Sequence, residues 1–302
     1  IWGDDVIEPH FIRSGADVVI TNVDPFVLNK YGDKPFPWVP ITPIAGDPVS
    51  DEVLISLRGA LDIVSISRYG QRMLADKNVE STHIYLPIPC GMYIPLDRTA
   101  VRTAYGWPDD AYIIGHVGMN RGWRKGHDTL LRAYQLFLAE VPNSLLYMHT
   151  DMVQRDGINL QELRKQLGLE KNVIFPMRYD AFYGKSQYWM NGLYNAIDLY
   201  VQPSLNEGQG MPVGENRSTG QPIVATDATA LHEAIEDTEA VAVPWSNKAW
   251  MPFQAWGYEV TADALAEAML TAHSRWGKKH VSLQNRQRAI ESVGVEEVAH
   301  LW

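Results

Sequence analysis

From residue 111 onward, short apolar runs alternate with amphipathic stretches. YIIGHV (112–117) is continuous, β-branched and closed by polar residues, which predicts a strand buried on both faces. Over 128–141, Leu130, Leu131, Tyr134, Phe137, Leu138 and Val141 recur at helical spacing and predict a helix. SLLYMHT (144–150) predicts the next strand. NLQELRKQLGL then offers Asn159 as N-cap, Glu162 three residues on, and Gly168 as the stop. VIFPM, a helix over 188–196, DLYVQP, a short helix from Pro212, QPIVAT, a helix from Ala230 and AVAVPW continue the series. Such alternation implies a parallel sheet covered by helices on both faces.

The first hundred residues repeat the pattern more loosely. ADVVITN, WVPITPI, LDIVSIS and THIYLPIP are apolar runs separated by the helical stretches DEVLISLRGAL and YGQRMLADK. A proline-rich join spans 87–108. The pattern predicts two α/β domains facing a cleft, at 1–95 and 96–285, with a carboxy-terminal helix (286–302) returning toward the first. Ligands of such folds lie at the carboxyl ends of the strands. No strand with a glycine-rich turn precedes ADVVITN, so an amino-terminal piece of the first domain is expected to be missing. The alternative is a small, atypical first domain.

Composition narrows the function. Of 302 residues, 46% are hydrophobic and 21% charged, with a formal net charge of −10, which argues against a nucleic-acid surface. No apolar run approaches the ~18 residues of a membrane span. No Lys/Arg-rich amphipathic helix is evident, so membrane contact is at most peripheral. Cys90 is the only cysteine, leaving no intrachain disulfide and no cysteine-based zinc site; a cytoplasmic, reducing setting is expected.

The stretch PSLNEGQGMPVGENRSTGQPIVATD (203–227) sets Glu207 and Glu215 around a turn with glycines at 208, 210 and 214. Pro212 suits a first helical position, and free amides there with the helix dipole make an anion site. Glu215 is expected in the first turn, where a carboxylate is favourable by itself. Glu207 beside a phosphate site makes sense if it accepts hydrogen bonds from hydroxyls on a neutral part of the same ligand. A competing reading takes Gly208, Gly210 and Gly214, with Asp227 after the next strand, as a dinucleotide-binding turn. Its spacing is one residue too long, and the helix is short.

Glu207-x7-Glu215 in this setting, followed by TGQPIVATD and ALHEAI, resembles the retaining glycosyltransferases of family 4, with the GT-B fold of two Rossmann-like doubly wound domains. The resemblance extends through IIGHVGMNRGWRKGHDTLLRAY, VPNSLLYMHTD, LGLEKNVIF and LYNAIDLYVQPS, and more faintly through DIVSISRYGQRML and YLPIPCGM. It implies a nucleotide-sugar donor, an acceptor that is not identified, and no cofactor. By this resemblance Glu207 contacts the sugar, Gly208, Gln209, Gly210 and Met211 hold the diphosphate, and Glu215 takes the ribose hydroxyls.

NRGWRKG (120–126) places Arg121, Arg124 and Lys125 at the same sheet edge. Fixed cations there would stabilise charge on a departing diphosphate. Lys125 matches the family lysine, whereas Met119 and Asn120 stand where the family arginine usually lies, so Arg121 is the substitute; Arg124 either joins the donor site or is a solvated surface charge. No Asp-x-Asp occurs, which fits a metal-independent reaction. His116 reads as a core residue and His149, at a strand end, as a candidate for the donor site. PITPIAGDP carries Gly46 and Asp47 where the family commonly has a histidine near the transferred sugar. That departure bears on the sugar's identity and on activity itself. Two alternatives to transfer stand beside it: a nucleotide-sugar binding protein, or a nucleotide-sugar epimerase of similar architecture.

Overall fold

The structure, a computed structural model, describes residues 5–31, 34–177, 180, 183–278 and 280–302. The opening residues 1–4 lie outside the described residues. Four short strands, β1 (Val19–Asn22), β2 (Trp38–Thr42), β3 (Val64–Ser65) and β4 (Thr82–His83), pair in parallel and in chain order. A helix that the sequence pattern did not reveal, α1 (Ile7–Ser14), precedes them. The predicted α2 (Asp51–Ser56) and α3 (Arg68–Ala75) follow, capped by Ser50 and Ser67. Leu28, Trp38, Ile44, Leu57 and Leu74 form the core of this unit.

The proline-rich join contains a further helix, α4 (Arg98–Tyr105). Its buried arginines fasten it to the next sheet: Arg98 Nε and Arg102 Nη2 donate to Asp198 at 2.8 and 2.7 Å. Asp198 also accepts from the Ile113 amide at 2.8 Å, so its buried charge is fully compensated. This anchor links residues about a hundred positions apart and left no local signal.

The remaining strands are β5 (Tyr112–Val117), β6 (Ser144–His149), β7 (Val173–Ile174), β8 (Leu199–Gln202), β9 (Ile223–Thr226) and β10 (Val241–Val243). They make an all-parallel sheet in the order β10-β9-β8-β5-β6-β7. Helices α5 (His127–Glu140), α6 (Leu160–Gln166), α7 (Gln187–Ala196), α8 (Met211–Thr219) and α9 (Thr229–Ile235) connect them. Both faces are covered, which is why the strands read as unbroken apolar runs. Tyr112 and Ile114 point to one core with Leu130 and Phe137, and Ile113 to the other with Tyr194 and Val213. Each such buried side chain contributes ~1.5–3 kcal/mol. As predicted, the Asn159 side chain caps α6 by accepting from the Glu162 amide at 3.0 Å.

After β10 the chain makes an unforeseen antiparallel hairpin, β11 (Asn247–Trp250) and β12 (Trp256–Glu259). It reaches back to the first unit, where the Trp256 amide donates to Asp47 O at 2.8 Å. Then come α10 (Ala262–Trp276), α11 (Leu283–Val293) and α12 (Val295–Val298). Val298 packs with Val64 and Ile84 of the first unit. No helix among the described residues is long and apolar enough to cross a membrane.

Candidate active site

The order of the larger sheet reverses between β5 and β8, and the loops after these two strands meet at that switch point, where open α/β sheets bind ligands. The loop after β5 carries Arg124 and Lys125; the loop after β8 carries Glu207. Gly126 makes their approach possible. Its φ is +65°, and a Cβ there would lie 2.2 Å from Pro203 O.

Glu207 is only 6% exposed. Lys125 Nζ donates to its Oε1. Arg124 Nη1 donates to Oε2 at 3.1 Å and to Asn206 O at 2.9 Å. Ser204 Oγ and Gln202 Nε2 donate to Oε1 at 2.7 and 3.2 Å, and Tyr200 OH donates to Gln202 Oε1 at 2.5 Å. Burial works against the charge, yet Lys125, Arg124 and Ser204 together take the Glu207 pKa down to about 2. Burial lowers the Lys125 pKa, against the pull of Glu207. Two cations against one carboxylate leave this corner positive by one charge.

Gly210, with φ +78°, caps α8, whose free amides open on the same corner. The helix begins at Met211, one residue before the predicted start, so Glu215 lies just past the first turn rather than inside it. The left-handed cap at Gly210 is the reason. Glu215 accepts from Tyr194 OH at 2.6 Å and also from the Tyr93 hydroxyl. Burial raises its pKa, and the two phenols oppose that rise.

A cleft of about 710 Å³ lies between the two sheets. Arg124, Lys125, Glu207, Gly208, Gln209, Gly210 and Met211 line one wall. The structure therefore gathers seven of the ten sequence-predicted residues in one cleft. The Gln209 side chain, however, is turned to the linker: its Nε2 donates to Leu86 O at 2.8 Å and its Oε1 accepts from Leu86 N at 2.8 Å. Glu215, on α8, turns its carboxylate to Tyr194 and Tyr93 and is not among the lining residues. Arg121 is exposed and acts on the cleft only through its charge, which with that of Arg124 opposes the burial-raised pKa of Asp24. His149 lies off the cleft, its Nδ1 3.1 Å from Tyr147 OH and its ring beside Trp189; burial brings its pKa to about 4. His116 is a core residue, as predicted, with Nδ1 2.8 Å from Val201 O and its pKa lowered to about 4 by burial.

Sequence reasoning missed the opposite wall: Asp24 and Phe26 after β1, Pro43 and Ile44 after β2, and Phe253 at the hairpin tip. The aromatic-rich runs NKAW and WGYE around MPFQA were the available hairpin signal. At Gly46, where the resemblance calls for a histidine, a Cβ would meet Ala255 Cβ at 2.5 Å. The hairpin occupies the space that a side chain there would need.

A family model described as "Glycosyl transferases group 1" matches residues 111–272. A D-inositol 3-phosphate glycosyltransferase of Segniliparus rotundus is 26% identical over 227 residues, 69% of this chain and 48% of the relative. The chain thus spans about half the length of that relative, and less of others. Among solved structures, sucrose-phosphate synthase from Thermosynechococcus elongatus superposes with a TM-score of 0.78 at 18% identity, covering 99% of this chain and 75% of its own. Anabaena HepE, solved in complex with UDP-glucose, gives 0.75 at 16% identity, covering 98% and 79%. The architecture is the GT-B fold, and the chain belongs to the group 1, or family 4, glycosyltransferases.

Proposed function

We propose that this chain transfers a sugar from a nucleoside diphosphate to an acceptor hydroxyl with retention of configuration, and without a metal ion. The observation that carries the reading is Glu207, held ionised by Lys125 and Arg124 where the amides of α8 open on the cleft. The diphosphate enters the positive corner, between the two cations and the amides of Gly208–Met211. Lys125 and Arg124 stabilise the charge that develops on the departing phosphate. Glu207 receives hydroxyls of the sugar, and Glu215 those of the ribose. No protein nucleophile is required if departure and attack share one face; the protein's work is orientation and charge stabilisation. A UDP-sugar is the donor to try first, since HepE of the same fold was solved with UDP-glucose.

Calorimetry with UDP and UDP-glucose tests the assignment. Glu215→Gln is expected to weaken both ligands by similar factors. Glu207→Gln is expected to leave UDP nearly untouched and weaken UDP-glucose by ~1–3 kcal/mol, the scale of hydrogen bonds to a charged group. Wild-type affinities are expected to survive EDTA. Equal effects of Glu207→Gln on both ligands would remove this acid as the sugar's partner, and binding lost in chelator but restored by magnesium would sink the metal-free reading. Release of UDP from UDP-glucose separates transfer from mere binding, and a changed sugar without free UDP would indicate an epimerase.

A further inference from the structure

The two walls of the cleft differ in charge. Among the described lining residues the cations are Arg124 and Lys125, both on the donor wall and both bound to Glu207. The facing wall presents Asp24, just past β1, and Ser50 and Glu52 at the start of α2, with apolar groups around them. Phe26 stands beside Asp24, Pro43 and Ile44 form the floor, and Phe253 comes over from the hairpin tip. Phe253 is 37% exposed, so its ring is available to a ligand. The hairpin is fixed in place by the Trp256–Asp47 hydrogen bond and by its contact with Gly46.

A phosphate on the acceptor would meet Asp24 and Glu52 with no described cation lining their wall; Arg124 and Arg121 act on Asp24 from the donor side, where the diphosphate already claims Arg124, and like charges at close range repel. A neutral hydroxyl can instead donate to the Asp24 carboxylate, and an apolar body can leave water against Phe26 and Phe253. We infer that the acceptor is an uncharged hydroxyl compound with an apolar or aromatic body, oriented by Asp24 and packed on Phe253, and that phosphorylated acceptors are rejected. This rests on the transfer reading and sets the chain apart from relatives whose name specifies inositol 3-phosphate. In the step itself the acceptor oxygen bonds to the anomeric carbon as the bond from that carbon to the phosphate oxygen breaks. The bonding pair leaves with the nucleoside diphosphate, which takes the hydroxyl proton. Asp24 orients the hydroxyl.

The test measures binding to the UDP-saturated protein of three probes: phenyl β-D-glucopyranoside, methyl β-D-glucopyranoside and inositol 3-phosphate. Phenyl glucoside is expected to bind about tenfold tighter than methyl glucoside, and inositol 3-phosphate more weakly than either. Phe253→Ala should erase the advantage of the phenyl group. Asp24→Asn should weaken both glucosides alike, and Asp24→Lys should admit inositol 3-phosphate. UDP affinity, measured first on every variant, reports that each is folded. Failure of wild type to bind UDP would strike the donor reading. With UDP bound, a phenyl glucoside no tighter than the methyl one, or inositol 3-phosphate bound as tightly as phenyl glucoside, overturns the inference.

Discussion

Glu207 keeps a charge that burial alone would remove. Its ordinary pKa of 4.5 falls to about 2 because Lys125, Arg124 and Ser204 outweigh desolvation. A carboxylate whose folded-state pKa is depressed contributes stability above its unfolded pKa and loses it as pH falls through the folded one. The contribution here is therefore present above pH 4.5 and disappears toward pH 2, about 3 kcal/mol in all. Glu207→Gln should cost that order of stability at pH 7, since it leaves the buried Lys125 ammonium unpaired. Urea unfolding of wild type and variant across pH 5 to 2 checks this; a stability difference that does not shrink with acid would show that the ion pair is not its source. Glu207, Lys125 and the glycines were legible because each falls within one contiguous motif. Arg124 was ambiguous in sequence between a surface charge and a site residue, and only the contact of the two loops places it on Glu207. Asp24 carried no signal, because the cations that act on it, Arg121 and Arg124, are about a hundred residues away.

At the scale of elements, legibility followed burial. The larger sheet was readable strand by strand, because covering on both faces writes an unbroken apolar run. Helix α4 was hidden among prolines, and the partners of its arginines include Asp198 and Ala196 O, 94 to 100 residues away in the chain. The β11–β12 hairpin was missed because its strands are largely exposed and so carry no unbroken apolar run. Its fit over Gly46 yields a prediction. A methyl at Gly46 would lie 2.5 Å from Ala255 Cβ, closer than packed carbons allow, and the Trp256 backbone at 3.4 Å limits retreat. Gly46→Ala should destabilise the fold by ~1–3 kcal/mol through overpacking. Combining it with Ala255→Gly should recover most of the loss, giving a coupling that independent sites do not show. Denaturant titration of the four proteins measures it, and simple additivity would mean that the hairpin is not seated on Gly46.

In the whole molecule the two sheets are tied at several points across the cleft. Arg68 Nε donates to Glu233 Oε2 at 3.3 Å, the Tyr69 amide donates to the same oxygen, and Gly208 lies against Pro43. The pair of hydrogen bonds between Gln209 and Leu86 differs from these in that it joins the proposed diphosphate loop directly to the chain between the sheets. Sequence placed Gln209 with the donor because its neighbours in the motif belong there, and nothing local could point to a partner 123 residues away. With its side chain committed to Leu86, what Gln209 has left for a phosphate is its backbone amide. Gln209→Ala should then leave UDP affinity within about threefold of wild type, while costing ~1–3 kcal/mol of stability for the Leu86 groups deprived of partners. The same variant should expose Leu86 to faster amide exchange, because the tie between loop and linker is gone. If the side chain instead turns to grip the diphosphate, UDP affinity would fall by tenfold or more and exchange at Leu86 would not change. Calorimetry with UDP, alongside hydrogen exchange over residues 84–90, separates the two outcomes.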